Sequence, residues 1–400
     1  MTVHYKINTV NGPVDMDQLY IRKNNFLAGN LYTWGNNSYG QLGTGDTNNR
    51  HQVTPAIGGT ITWRSVACGY NHSAGIKSDG TLWMWGHDNY GELGLNETNT
   101  YATSSPVQTI CGGNDWKHVA CGYHITAAIK FDGSLWTWGV NGHGQLGDGT
   151  GVDKSSPVQT IAGGIDWKQV VCGLDVMAAI KTDGTLWLWG DNTSGQLGDG
   201  TNLISNSGAS VNFSPKQIYG GGTDWKQVAL KEVTGAAIKT DGTLWVWGRN
   251  NYGQLGTNTN VDSFSPIQTI VGGNDWKQVS CGYFTTMAIK NDGSLWSWGS
   301  NDYGQLGNDT YVSTSSPVQV NIGDTYWRFV DCNNDGVVAA IKTNGSLWMW
   351  GSNYYGELAL GDTYNRSTPV QTGYNNRDWI TVSCGYHTLA ITTTIVSLPL

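Results

Sequence analysis

Seven copies of the pattern L-[WY]-x-W-G begin at Leu31, Leu82, Leu135, Leu186, Leu244, Leu295 and Leu347, at intervals of 51, 53, 51, 58, 51 and 52 residues. A period of this length constrains the fold more than any local propensity, because each copy is a supersecondary unit too small to bury its own apolar faces. Each copy runs on into G-[QE]-L-[GA], a loop, a Pro-containing stretch such as "SPVQTI", "GGNDWKQVACG" or a variant, a segment like "HITAAIK", and an Asp-Gly pair. All 20 tryptophans fall on this pattern, either in the L-[WY]-x-W-G element or at the later position of Trp63, Trp116, Trp167, Trp225, Trp276, Trp327 and Trp379. An indole repeated in every unit reads as architecture before it reads as a site.

The elements of one unit follow from alternation and turn chemistry. "WKQVACG" and "TAAIK" are short β-compatible runs, and the two-residue Asp-Gly link from "AAIK" to "LWTWG" is a hairpin signal, since both turn residues tolerate positive φ. The Pro-led "PVQTI" supplies a fourth strand at an edge, where the missing amide is harmless. Seven four-stranded antiparallel units predict an all-β fold, a seven-bladed β-propeller, in which radial packing covers both faces of every sheet. The chain enters the pattern at the third strand and leaves it at the second, around Ala390 to Thr393, so the ring is expected to close by pairing of the N- and C-terminal strands. The expected organisation is residues 1–30 as a leader or attachment segment, 31–392 as the propeller and 393–400 as a tail. Within L-W-x-W-G, Leu and the second Trp are expected on one face of the strand and the first Trp on the other, so that each face receives a large side chain.

Composition narrows the partners. Charged residues make up 13% of the chain and the net charge is -8, which disfavours a phosphate-neutralising surface, so no nucleic-acid partner is expected. "MTVHYKINTV" lacks a basic segment followed by an apolar core, and no run approaches about 18 apolar residues, so neither export by a signal peptide nor membrane insertion is expected. Of the 7 cysteines, Cys68, Cys121, Cys172, Cys281, Cys332 and Cys384 share one repeat position, too regular for pairing, and read as reduced, buried, small apolar side chains.

L-W-x-W-G, G-Q-L-G, S-P-V, W-x-x-V-x-C-G and H-T-x-A-I-K-x-D-G, recurring in this order over roughly residues 31 to 392, resemble the regulator of chromosome condensation repeat family. The resemblance implies a seven-bladed propeller. It does not fix a function, since the family includes a nucleotide exchange factor, a β-lactamase inhibitor and a plant ultraviolet-B photoreceptor. The photoreceptor carries its light-sensing indoles in a Gly-Trp-Arg-His-Thr type motif, and the matching stretches here, "CGYNHS", "CGYHIT" and "CGYHTL", hold no Trp.

No catalytic set emerges, and a non-enzymatic protein is expected. His72, His124 and His387 lie at or next to one repeat position and read as turn histidines bonding backbone; no second Cys-His dyad at zinc-type spacing accompanies "CGYH", so no metal and no cofactor are expected. The Asp-Gly pairs at Asp79, Asp132, Asp183, Asp241 and Asp292 are hairpin turns spread one to a unit.

Connectivity places the turns after "WKQVACG" and the long loops after "GQLG" on one side of the ring, and the Asp-Gly turns and "GGNDW" links on the other. The second side is nearly uniform between units and the first is variable, which makes the first the candidate binding face. Its candidate residues are Tyr70, Tyr101, Tyr123, His143, Tyr283, Tyr311, Tyr354 and Tyr364, joined by Lys231 and Glu232, which are read as replacing Cys-Gly in unit four, the unit that also carries the inserted loop "DGTNLISNSGASVNFS". The first thirty residues, with "DQLYIRKNNF", look like the short attachment segments of bacteriophage structural proteins, with Tyr5, Ile7, Tyr20 and Phe26 as candidate attachment residues. The expectation is therefore a virion decoration module assembled in the host cytoplasm, binding a virion protein or a host-surface protein or glycan. The alternative is an intracellular adaptor or inhibitor of one protein partner.

Overall fold

The computed structural model describes residues 29–57, 62–201, 211–320, 325–373 and 378–393. Among these the chain is all-β, with 28 strands and no helix. Five sheets have 4 antiparallel strands each, and an 8-stranded sheet divides at a single bridge, Gly29 opposite Trp63, into two more such sets. In chain order, sheets one to six span residues 63–108, 116–159, 167–217, 225–268, 276–319 and 327–371. Sheet seven joins the chain's two ends: Trp379–Cys384 pairs with His387–Thr393, which pairs with Gly29–Gly35, which pairs with Arg50–Pro55. The pairing between Gly29–Gly35 and His387–Thr393 is continuous, from Gly29 opposite Thr393 to Gly35 opposite His387. Each sheet packs on the next, and sheet seven packs on sheet one.

Local chemistry explains why each unit turns where it does. In sheet two, Gly133 takes φ +86, while Asp132 Oδ1 accepts from the Ser134 amide at 2.9 Å and the Ser134 hydroxyl at 2.7 Å. The Ser134 oxygen in turn accepts from the Trp136 indole at 3.0 Å. The first Trp of L-W-x-W-G is thus tied to the Asp-Gly turn that precedes it. On the same side, Lys130 reaches Asp115 at 3.3 Å and lies 4.9 Å above the Trp116 ring, so the Lys of "AAIK" and the Asp of "NDW" are both accounted for by architecture.

The second Trp sews neighbouring sheets together. Trp138 Nε1 donates to the Glu92 carbonyl at 2.8 Å, Trp189 to Gln145 at 2.8 Å and Trp247 to Gln196 at 2.9 Å, each bond running to the preceding sheet. The Gln of "WKQV" adds a second stitch near the axis, with Gln169 Nε2 donating to the Val228 carbonyl at 2.9 Å and its Oε1 accepting from the Val228 amide at 3.1 Å.

The core lies between the sheets. Leu82, Met84, Ile76 and Leu93 of sheet one bury against Trp116, Val119 and Trp138 of sheet two. This corrects the expected facing of L-W-x-W-G. Leu82 and Met84 share one face, while Trp83 and Trp85 share the other with Trp63, Leu389 and Ile391. Period-two alternation sends residues two apart to the same side, so the two indoles travel together. The six repeat cysteines are buried free thiols, pushed up in pKa by burial, with Cys172 at about 12. Among the described residues no helix is long and apolar enough to cross a membrane.

Candidate functional site

The innermost strands end in turns that converge on the axis. Glycines form a tight collar there: a Cβ added to Gly69 would lie 2.7 Å from the Gly122 carbonyl oxygen, and one added to Gly282 would lie 2.6 Å from that of Asn333. The collar is hydrogen-bonded from sheet to sheet, with the Tyr70 amide donating to Gly122 at 3.1 Å and the Tyr123 amide to Gly173 at 3.3 Å. Lys231 occupies a collar position and lines the neck together with Cys68, Tyr70, Tyr123, Asn333 and Tyr386. The residue on the cysteine's own position in sheet four is Leu230, which is buried in the apolar cluster between sheets three and four. Lys231 and Glu232 therefore replace Gly-Tyr and not Cys-Gly, a one-residue shift that the strand register reveals, since Trp225–Lys231 pairs through to Lys231 opposite Thr234. The inserted loop belongs to sheet three, whose outer strand is Val211–Gln217, so the two peculiarities sit on neighbouring sheets and not on one.

Above the collar opens a bowl of about 580 Å³. Its wall carries Tyr70, Tyr90, Tyr123, His124, Tyr283 and Tyr386, with Asp175, Glu232 and Asp335 among them. Tyr70 packs against Tyr123 at 4.1 Å and Tyr386 at 4.2 Å between ring centroids, and Tyr90 against His124 at 4.7 Å. The four tyrosines Tyr70, Tyr123, Tyr283 and Tyr386 stand at the turn positions of the "CGY" stretches.

The carboxylates of the bowl are partly withdrawn from water. Burial pushes Glu232 up to about 7 against hydrogen bonding from Tyr283, and Asp335 up to about 6 against hydrogen bonding from Tyr386. Burial also raises Asp175, which His143 approaches at 3.5 Å. Asn334 Nδ2 donates to Glu232 Oε1 at 2.9 Å, linking turns of sheets four and six across the axis. Beneath the collar Asp331 is half-buried and raised by burial; it accepts from the Cys384 amide at 2.8 Å, and Lys231 is the opposing charge.

At the rim, Glu92 is completely buried, with its Oε1 2.5 Å from His87 Nδ1 and 3.2 Å from His124 Nδ1. Burial alone would raise this carboxyl, but hydrogen bonds from His124 and His87 outweigh it and hold the group at about 2. His72 and His387 lie deeper and bond hydroxyls of the neighbouring sheet where backbone was expected: His72 to Thr126 at 3.0 Å and His387 to Ser73 at 2.6 Å. Burial depresses them to about 4 and about 3.

Of the residues expected on the binding face, Tyr70, Tyr123, Glu232 and Tyr283 line the bowl, Lys231 lines the neck, and His143 is exposed beside Asp175. Tyr311, Tyr354 and Tyr364 are exposed on outer loops away from it. Tyr101 lies in the strand Asn99–Gln108, with its side chain outside the described residues, as are Tyr5, Ile7, Tyr20 and Phe26. Sequence reasoning passed over Tyr90, Asp175, Asp335 and Tyr386. Tyr386 was visible as the fourth "CGY", whereas Tyr90 was hidden because Tyr39, Tyr252, Tyr303 and Tyr355 recur at its position.

The family model of the RCC1-like domain matches residues 30–391. The chain is 31% identical over 352 residues to the ultraviolet-B receptor UVR8 of Arabidopsis thaliana, covering 86% of this chain and 78% of the receptor. It is 26% identical to the mitochondrial RCC1 domain-containing protein RUG3 of the same plant, covering 86% and 82%. Among solved structures, Prp20p of Saccharomyces cerevisiae, described with its binding to Gsp1p and histones, superposes with TM-score 0.80 at 18% identity over 93% of each chain. Human WBSCR16 superposes with TM-score 0.79 at 20% identity over 91% of this chain and all of the other, and both likenesses concern the fold.

Proposed function

Because the chain belongs to the RCC1-like domain family, we propose that it is a closed seven-bladed propeller acting as a non-enzymatic, intracellular protein-binding adaptor or inhibitor, with the bowl as its docking site. Closure is supported by the strand exchange between the chain's two ends and by packing that passes from every sheet to the next. The docking reading is carried by one observation: variable turns from separate sheets bring tyrosines and partly desolvated carboxylates to a single concavity, while the other side of the ring repeats the same Asp-Gly and "GGNDW" chemistry in unit after unit.

The lining chooses the partner's chemistry. Glu232, Asp335 and Asp175 would each be stabilised as anions by an entering Lys or Arg, and the tyrosine faces around them suit a cation with an apolar stem. A basic loop or tail of another protein fits this site. Decoration of a virion draws no support from the relatives, which come from a plant, a yeast and a human, so the adaptor reading is preferred. Similarity to the ultraviolet-B receptor is not extended to light sensing, because tyrosines stand at the turn positions concerned.

The test compares partners captured by the wild type, by Tyr123→Ser with Glu232→Gln in the bowl, and by Ile165→Ser with Tyr219→Ser, two exposed residues on the opposite side. The bowl variant should lose the partner and the other keep it. The reverse result would sink the docking reading.

A further inference from the structure

Two histidines that the repeat does not require meet a glutamate, Glu92, at the rim of the bowl. At the position of Glu92 five units have glutamine, Gln41, Gln145, Gln196, Gln254 and Gln305, and the last has Glu357. At the position of His87, other units have residues as different as Val140, Arg249 and Ser352. His124, on the next sheet, takes the place held elsewhere by Asn71, Asp175, Val233 and Phe284, each of which offers its carbonyl to the amide that follows a W-x-W-G element. Architecture therefore asks only for a Gln or Glu at the position of Glu92, whose side-chain oxygen accepts the amide two residues earlier, and leaves the two histidine positions free; here two imidazoles and that carboxylate come together with all their nearest ligand atoms within 4.8 Å of one another.

We infer that His87, Glu92 and His124 bind a divalent transition-metal ion, Zn²⁺ in the first place, with its fourth coordination position open to the bowl. Two imidazole nitrogens and one carboxylate oxygen are a zinc ligand set that leaves room for water or an incoming group. The outer supports are in place. Glu92 Oε2 accepts from the Tyr90 amide at 2.8 Å, which sets the carboxylate plane. The Glu92 carbonyl accepts from Trp138 Nε1 at 2.8 Å and from the Thr126 hydroxyl at 2.9 Å, which fixes its backbone. Tyr39 packs edge-on against the His87 ring at 4.9 Å, and Tyr90 stacks on His124 at 4.7 Å. Such supports tune and preorganise a metal site.

Without metal, each imidazole donates an Nδ1–H to Glu92. On binding, each neutral ring moves that proton to Nε2, so the Nδ1 lone pair meets the metal and protons balance. Metal–ligand distances of about 2.1 Å require His87 Nδ1 and Glu92 Oε1 to part by less than about 1 Å, a small rotation of the His87 ring. The sequence hid this site because its ligands come from two units at no recognisable spacing. It stands independently of the docking reading.

The test titrates the chelator-stripped full chain with ZnCl₂ by calorimetry and with Co²⁺ by visible absorption. One Zn²⁺ per chain is expected, together with the intense visible bands of four-coordinate Co²⁺, lost when Zn²⁺ is added. Glu92→Gln installs the residue that five other units carry, and His124→Asn the residue at Asn71, so both variants should fold, which circular dichroism checks. Each should weaken binding at least about tenfold. Cys111→Ser, which removes the exposed thiol, should leave binding unchanged. No stoichiometric event in the wild type, undiminished binding in Glu92→Gln and His124→Asn, or loss of binding in Cys111→Ser each overturns the site.

Discussion

Trp34 Nε1 donates to the carbonyl oxygen of Glu357 at 2.6 Å, joining residues 323 positions apart. It is the same bond that every other second Trp makes to the preceding sheet, but here it runs from the start of the described chain to its final repeat. Trp34 is also fully buried beside Trp379, Leu347 and Met349. Trp34→Phe removes the donor and part of the core where sheets six and seven meet, and should cost about 2–4 kcal/mol. Urea unfolding should show a lower midpoint with one transition of unchanged slope, because pairing of the strands at the chain's two ends leaves no end unit to fray. A shift under about 0.5 kcal/mol would show that this contact carries no weight in the fold.

The strand plan was legible in the sequence because turns and alternation are local. "DGSLWTWG" states its hairpin, and the carbonyl-to-indole stitch explains afterwards why "GQLG" and "WxWG" recur together. What was not legible depends on register and on neighbours in space. A one-residue slip misplaced Lys231 and Glu232 relative to Leu230, since only pairing opposite Thr234 fixes the count. Tyr354 and Tyr364 were as conspicuous in sequence as Tyr70 and Tyr123, yet radial position alone decides which rings reach the axis. His87 and His124 carried no signal as a pair, because adjacency between sheets is invisible in a linear spacing.

Asp88 breaks a rule kept by Asn37, Asn141, Asn192, Asn250, Asn301 and Asn353. In those units the side-chain oxygen accepts a leucine amide while Nδ2 holds the following loop, as Asn141 does by donating to Thr150 and Val152 carbonyls at 3.0 and 3.2 Å. Asp88 Oδ1 accepts from Leu93 at 2.9 Å, but its buried Oδ2 stands in the donor's place with no hydrogen-bond partner. Asp88→Asn should therefore stabilise the protein by about 1–3 kcal/mol. Chemical denaturation at neutral pH checks it, and a destabilised variant would refute the comparison between units.

The bowl should make stability depend on pH through Glu232. Its folded pKa of about 7 exceeds the ordinary 4.5, so below about pH 4.5 both states hold the proton and the group is neutral for stability. As pH rises from there to about 7 the unfolded chain releases its proton first, and the native state is progressively penalised. Glu232→Gln keeps an acceptor for Asn334 and removes the titration. Its advantage over the wild type should be largest near pH 8 and vanish near pH 4, as read from denaturation midpoints. A difference that stays constant across that range would contradict the assignment.

The glycine that ends "GQLG" lies under the indole of the next sheet. Gly147 has φ +63, and a Cβ there would lie 2.7 Å from Trp189 Nε1. The last repeat breaks the pattern with Ala359, a non-glycine residue at φ 55. Gly147→Ala should cost about 1–2 kcal/mol for the left-handed backbone, and more for the displaced indole. Ala359→Gly relieves the same backbone penalty but returns about 0.4–1 kcal/mol of freedom to the unfolded chain, leaving a net gain of up to about 1.6 kcal/mol. Two exchanges between the same residue types at equivalent positions are thus expected to move stability in opposite directions, measured side by side by urea unfolding. If both proved neutral, contact between the indole and the glycine would not be what selects that residue.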